Sequence, residues 1–187
     1  MTVFIIAYLK KTNFLKVFIL LSFFSQQTFA GEISIKDITF KKNKKNSYLI
    51  LNHDIKFSGD ALLALNKSIP ISIRMSLQIK EKNKFWFDKK LFAEEKFYKL
   101  RYRNLLNKYQ INFNETNTIY FDNIDDIRSN LYNLEWNLGE INFSDSSEIY
   151  LIIELDQSKL PKPLLINLNE ESWDMKAEAT KFYRELL

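Results

Sequence analysis

Residues 71–80 read ISIRMSLQIK, an unbroken alternation of apolar and polar side chains. Successive side chains of an extended strand point to opposite faces, so this period of two predicts a strand with one face in a core and one in water. The same alternation recurs over Leu49–Phe57 and Ile149–Leu155, which predicts two further strands of the same kind.

A hairpin is predicted ahead of these strands. The apolar positions of residues 33–40 change phase near Lys36 and Asp37, and one extra residue in a β-bulge would reconcile the two phases. The polar stretch 41–47 then predicts the turn that leads into Leu49–Phe57. Alternation over residues 98–103 and 109–113 predicts a second pair of strands, although this stretch could also be drawn as a helix.

Three helices are predicted between and after the strands. Ser58 offers a cap for residues 61–67, and Asn123, with Asp126 three residues on, resembles a capping arrangement. The apolar face of that second helix is expected to comprise Ile127, Leu131 and Leu134. A third helix is predicted over residues 175–187 and would close the chain with a helical tail.

About eight short strands joined by helices predict a mainly β (β-rich α+β) fold. We expect an antiparallel two-layer β-sandwich with short connecting helices, formed by one domain over residues 31–187. No predicted strand alternates regularly with a long helix, which argues against a parallel doubly wound sheet.

Residues 1–30 have the order of regions of a signal peptide. Lys10, Lys11 and Lys16 precede the apolar run 17–24, and Thr28-Phe29-Ala30 offers a small residue at the cleavage site. Eight helical residues span only about 12 Å, too short for a bilayer core of about 30 Å. The sequence therefore predicts cleavage after Ala30 and a periplasmic protein; the alternatives are an uncleaved anchor, a buried helix or a later translation start.

Composition excludes several classes of function. The chain has no cysteine, so thiol catalysis, thiol redox and cysteine metal ligation are excluded. Three of its 27 basic residues lie in the predicted leader, which leaves 24 basic against 23 acidic residues and no electrostatic reason to expect nucleic acid as a partner. Three scattered glycines cannot form a phosphate-binding loop, and we predict no cofactor and no metal.

Candidate catalytic residues are few. His53 is the sole histidine, and its phase places it on the inward face of its strand. Asp37 or Asp54 could orient it as a general base, but a strand neighbour such as Asp54 points to the opposite face, so a core histidine is the favoured interpretation. A pair of acids could cleave a glycoside, and nothing ranks the candidates Asp88, Glu94, Glu95, Asp125, Asp126 and Glu154.

Three further motifs are candidates for binding. Phe85-Trp86-Phe87 is a dense aromatic cluster for which packing in the core is the default expectation. Leu160-Pro161-Lys162-Pro163 predicts an extended, partly unpaired segment, because proline cannot donate to a sheet. The basic run 41–45 predicts a solvated turn, with contact to anionic headgroups as the alternative.

These motifs give the chain a family resemblance. Phe85-Trp86-Phe87-Asp88, the LDQSKLPKP stretch of residues 155–163 with Asn167, and Ser172-Trp173 resemble an exported proteobacterial family, domain of unknown function 4390. The resemblance covers nearly all of residues 32–173. It departs at His53, where the family tends to have a small residue, and after Trp173. The family brings no established activity, so the resemblance implies location and domain extent only.

The sequence favours a non-enzymatic module that binds another envelope protein. Extended backbone and aromatic anchors are typical of such surfaces. The candidate binding residues are Trp86, Asp88, Tyr102, Leu160, Pro161, Lys162, Pro163 and Trp173. The alternatives are a carboxylate-dependent hydrolase of an envelope polymer and a carrier of a small apolar ligand. Membrane contact is expected only through the leader before its cleavage.

Overall fold

The computed structural model describes residues 31–43, 45–114, 117–161 and 170–186. The predicted signal segment over residues 1–30 lies outside the described residues. So do Lys162 and Pro163, two of the candidate binding residues.

The described residues form nine strands and three α-helices. The strands are β1 (Glu32–Lys42), β2 (Ser47–Lys56), β3 (Ile71–Glu81), β4 (Lys89–Arg103), β5 (Lys108–Phe113), β6 (Asn117–Phe121), β7 (Asn133–Gly139), β8 (Ser147–Leu155) and β9 (Lys176–Phe182). The helices are α1 (Gly59–Asn66), α2 (Ile124–Leu131) and α3 (Glu170–Trp173), with single 3₁₀ turns at Gln157–Lys159 and Tyr183–Glu185.

The strands form two antiparallel sheets. One sheet has the order β1-β2-β7, and the other has the order β6-β5-β4-β3-β8-β9. Every strand pairing in both sheets is antiparallel. The predicted antiparallel two-layer sandwich with short connecting helices is confirmed.

The core lies on the inner face of β3, as the alternation predicted. Every second side chain of this strand from Ile71 to Ile79 is fully buried, and the side chains between them are more accessible at most positions. Leu49, Leu51 and Trp136 of the smaller sheet belong to the same buried cluster.

Local signals in the sequence are confirmed at three places. The register of β1 against β2 shifts between Ile35 and Asp37, which is the predicted bulge. The side chain of Ser58 accepts a hydrogen bond from the backbone N–H of Ala61 at 3.1 Å and caps α1. Asn123 caps α2 in the same way, through the N–H of Asp126 at 2.8 Å.

The predicted C-terminal helix is wrong, because residues 176–182 form the edge strand β9. Ala177 and Ala179 pack against the core, whereas the residues alternating with them are exposed. Residues 148–154 of β8 offer this segment a full ladder of backbone partners. Forming the first turn of a helix costs free energy, and a helix here would leave that edge of β8 unpaired. Pairing with β8 therefore favours a strand over a helix in this segment.

The end of the second helix also differs from the prediction. Leu134 was expected on the apolar face of α2, but it lies in β7 and pairs with Leu51 of β2. The helix ends at Leu131, and β7 completes the smaller sheet beside β2.

Candidate interaction surfaces

The fold separates the candidate binding residues instead of gathering them into one site. Trp86 and Asp88 lie in the loop between β3 and β4, whereas Tyr102 lies near the opposite end of β4. Leu160 and Trp173 are buried, so their side chains stabilise the core and present no surface to a partner. Pro161 is exposed.

Residues 82–88, which we call the aromatic loop, project from the end of the larger sheet. Phe85, Trp86 and Phe87 are 88%, 78% and 97% exposed. The expectation that this cluster packs in the core is wrong. The pairing of β3 with β8 ends at Glu81 and Ser147, so the loop begins where the sheet stops and no neighbouring strand covers it.

The base of the aromatic loop is held by polar contacts. Lys82 Nζ lies 3.1 Å from a carboxylate oxygen of Asp88 and 3.0 Å from one of Glu148. The backbone N–H of Lys82 donates to the carbonyl of Ser146 at 3.0 Å, and that of Asn83 donates to Asp88 Oδ1 at 3.4 Å. Hydrogen bonding to Lys82 lowers the pKa of Asp88, and hydrogen bonding to Glu148 and Asp88 raises the pKa of Lys82. Asp88 therefore closes the loop and leaves its aromatic tip free.

A second exposed apolar surface lies at the other end of β4. Leu105 is fully exposed in the turn between β4 and β5, and Leu106 is more than half exposed. Together with Tyr102 and Tyr120 they line an open groove of about 490 Å³. The hydroxyl of Tyr102 donates to Asn107 Oδ1 and ties the strand to the turn, so Tyr102 is the candidate residue that this surface includes.

The strand β6 forms an open edge beside this groove. Within the described sheet it pairs only with β5. Its sequence, Asn-Thr-Ile-Tyr-Phe, contains no charge and no proline, and its first four residues are exposed. The edge strand β9 differs, because it carries Lys176, Glu178 and Lys181 and contacts β1. Charges and covering elements normally protect sheet edges, and β6 has no charge of its own.

His53 occupies the inward position that its phase predicted. Its side chain is 1% exposed, and neither ring nitrogen has a hydrogen-bond partner of good geometry among the described residues. Burial lowers the pKa of His53 to about 4. The negative charge of Asp54 and a contact with the backbone of Leu51 act in the opposite direction, but their effects are smaller. The ring is neutral at pH 7 and lies in the interior, away from both exposed surfaces.

Most of the acidic residues that were candidates for catalysis make contacts with neighbouring side chains or with a helix cap. Glu154 accepts a hydrogen bond from Arg74 Nε at 2.8 Å, and Asp88 pairs with Lys82. Asp125 lies 3.5 Å from Arg128 in α2, and the N–H of Asp126 donates to the cap of that helix. Glu95 accepts from Ser76, and Glu94 lies in the same strand.

Residues 31–43, 45–114, 117–161 and 170–186 contain no cluster of three or more histidine or acidic side chains placed to hold a metal. No helix within these ranges has the length and apolar character needed to cross a bilayer.

Comparison with known proteins gives one match, at the level of the family. No curated protein and no solved structure is significantly similar to the chain. The family model described as Domain of unknown function (DUF4390) matches residues 30–183, which is most of the sequence and includes all nine strands. The chain therefore belongs to the DUF4390 family.

Proposed function

We propose that the protein is an exported, periplasmic, non-enzymatic module that binds another envelope protein through β6 and the groove beside it. The open, uncharged edge of β6 is the observation that carries this proposal. A strand with unpaired backbone groups is a template for an extended segment of a partner, which adds to the sheet by main-chain hydrogen bonds.

The groove beside β6 supplies the side-chain part of this binding. Tyr120 and the leucines of the β4–β5 turn are exposed on one continuous groove. Backbone pairing confers affinity without much selectivity, and pockets for side chains confer the selectivity. A partner strand lying along β6 would place its own apolar side chains against Leu105, Leu106 and Tyr120.

The absence of cysteine makes a direct crosslinking test possible. A Tyr120→Cys variant carries a unique thiol, which can be coupled to a photoreactive maleimide in cells that export the protein. Glu178→Cys is the matched control, because it places the same probe on the charged edge strand β9. We expect a discrete adduct with one protein from position 120 and none from position 178.

A charge on the edge provides the second arm of the test. Adding Ile119→Lys to the Tyr120→Cys variant places a lysine on β6, and lysine protects natural sheet edges from pairing. The adduct should then be lost while the protein remains folded by circular dichroism. Equal adducts at positions 120 and 178, or an adduct that survives Ile119→Lys, would contradict the proposed surface.

The location is tested separately by fractionation and by mass spectrometry of the purified protein. We expect it in the periplasmic fraction with Gly31 as the first residue, as the predicted signal requires. Recovery in the cytoplasm, or a different amino terminus, would refute that part of the proposal.

A further inference from the structure

The aromatic loop has no role in the proposed binding along β6, which lies near the opposite end of β4. It nevertheless exposes three consecutive aromatic side chains, Phe85, Trp86 and Phe87. Monomeric soluble proteins seldom expose contiguous apolar surface without a use for it. The chain's other two tryptophans, Trp136 and Trp173, are almost completely buried, so exposure of Trp86 is a property of this loop.

Unpaired positive charge lies in the aromatic loop and at the start of β4. Lys84, Lys89 and Lys90 are exposed, and none of them forms an ion pair with any residue that the structure describes. Of the nearby acids, Asp88 and Glu148 are paired with Lys82, Glu81 accepts a hydrogen bond from Ser144, and Asp145 forms no ion pair with a described residue. The loop and the first two residues of β4 therefore carry three exposed aromatic rings together with three ammonium groups that form no ion pair with a described residue.

The basic turn between β1 and β2 lies at the same end of the sandwich. Phe40, near that turn, packs edge-on against Phe143 and Tyr183, with ring centroids 5.0 and 4.9 Å apart. Tyr183 directly follows β9, whose last residue pairs with Glu148 at the base of the aromatic loop. The exposed Lys41, Lys42 and Lys45 of the turn thus add to the positive charge of this end.

We infer that the aromatic loop docks the protein on a phospholipid bilayer with anionic headgroups. Aromatic side chains, tryptophan above all, favour the interface between headgroups and acyl chains. Each lysine held near an anionic surface adds to the attraction, which falls off within a Debye length. A protein partner of this loop would need an acidic pocket for three rings, whereas a fluid bilayer accepts a projecting tip at any point.

This inference goes beyond the expectations from the sequence, in which the leader is the expected membrane contact and residues 41–45 touch anionic headgroups only as an alternative. It rests on different residues from the proposed protein-binding surface. β6 lies near the opposite end of β4 from this loop. A domain docked on a bilayer through the loop would therefore leave β6 accessible, so both surfaces could be occupied together.

Trp86 provides a probe built into the protein. It is the exposed tryptophan of the three, so a change of tryptophan emission on adding vesicles reports mainly on the loop. The protein recovered from exporting cells would be mixed with vesicles of phosphatidylcholine, with or without about one quarter phosphatidylglycerol. A second set contains brominated phosphatidylcholine, whose bromine quenches tryptophan at the depth of the acyl chains. We expect a blue shift and quenching with phosphatidylglycerol, and affinity about tenfold or more weaker without it or in high salt.

Two variants separate the contributions of the rings and the charges. Phe85→Ser with Phe87→Ser keeps the Trp86 probe and should weaken binding about tenfold or more. Lys84→Gln with Lys89→Gln and Lys90→Gln should weaken the preference for phosphatidylglycerol about tenfold, and Lys41, Lys42 and Lys45 should retain the remainder.

The matched control is Leu63→Ser with Tyr132→Ser, which removes two exposed apolar side chains that belong neither to the aromatic loop nor to the groove beside β6. It should bind vesicles as the unaltered protein does.

Three results would overturn the inference. In the first, Trp86 stays unquenched by brominated lipid while the protein sediments with vesicles, which would assign binding to another segment such as a retained leader. In the second, the loop variants bind as the unaltered protein does. In the third, no vesicle binds and a crosslinker on the loop captures a protein instead. None of these results bears on the crosslink from position 120, so failure here is distinguishable from failure of the proposed function.

Discussion

Lys82 and Asp88 form an ion pair of 3.1 Å across the base of the aromatic loop. Asp88 also accepts the backbone N–H of Asn83 at 3.4 Å. Asp88→Ala should remove both contacts, and we expect amide exchange at Asn83 to become several-fold faster by NMR. Exchange at Lys82 should change little, because its N–H donates to the carbonyl of Ser146.

Asp145→Ala is the control for this prediction. Asp145 is an exposed acid that makes no hydrogen bond or ion pair with a described residue. Equal acceleration at Asn83 in both variants would show that Asp88 does not hold the loop.

The sheets could be predicted from the sequence because their pattern follows directly from strand geometry. In Ile71–Lys80 the side chains that belong inside are all apolar and those outside are all polar, so one register satisfies the whole strand. Residues 175–187 lack such agreement, because their apolar positions fit a helical face as well as an edge strand. Pairing with the open side of β8 decides between the two, and the partner residues in β8 are 22 or more positions away in the sequence.

The exposed surfaces could not be predicted to the same extent, because the type of a residue does not determine whether its side chain is buried. Trp86 and Trp173 are both tryptophans in predicted binding motifs, yet Trp86 is exposed and Trp173 is buried. Trp86 is exposed because β8 begins opposite the end of β3 and covers nothing beyond it. The open edge of β6 likewise depends on sheet order, which no local pattern in residues 117–121 reveals.

Truncating the core strand tests the alternation directly. Leu77 is fully buried, and its neighbour Gln78 is exposed on the other face. Leu77→Ala should lower the free energy of unfolding by about 2 to 5 kcal/mol, through lost burial and the cavity left behind. Gln78→Ala should change it by less than about 0.5 kcal/mol. Urea denaturation of both variants gives the comparison, and similar losses would contradict the assignment of faces.

The two helix caps should differ in their contribution to stability. Ser58 is fully buried, so Ser58→Ala leaves the N–H of Ala61 without a partner away from water. We expect a loss of about 1 to 2 kcal/mol in the free energy of unfolding. Asn123 is exposed, and water can replace its bond to the N–H of Asp126, so Asn123→Ala should cost about 0.5 to 1 kcal/mol.

Thermal unfolding would rank these two variants, with Ser58→Gly as a further comparison. Glycine also lacks the hydroxyl but is a tolerated cap, so it should recover part of the loss. A larger loss for Asn123→Ala than for Ser58→Ala would contradict the role assigned to burial.

His53 should make the protein less stable in mild acid. Its pKa is about 4 in the folded protein against 6.5 when unperturbed, because burial disfavours the charged ring. Between these two values the unfolded chain binds a proton that the folded protein does not, so the free energy of unfolding falls as pH falls from about 6.5 to about 4. The full effect is about 3 kcal/mol, and below the folded pKa it grows no further.

A His53→Leu variant removes this proton and keeps an apolar side chain in the inward position beside Ile35. Urea denaturation of both proteins at about pH 7 and about pH 4.5 isolates the histidine, since the carboxylates titrate alike in both and their effect cancels in the difference. We expect the variant to gain stability relative to the unaltered protein by about 2 kcal/mol over this interval. A difference between the two proteins that stays constant with pH would mean that water or a polar partner reaches the ring and that His53 is not desolvated.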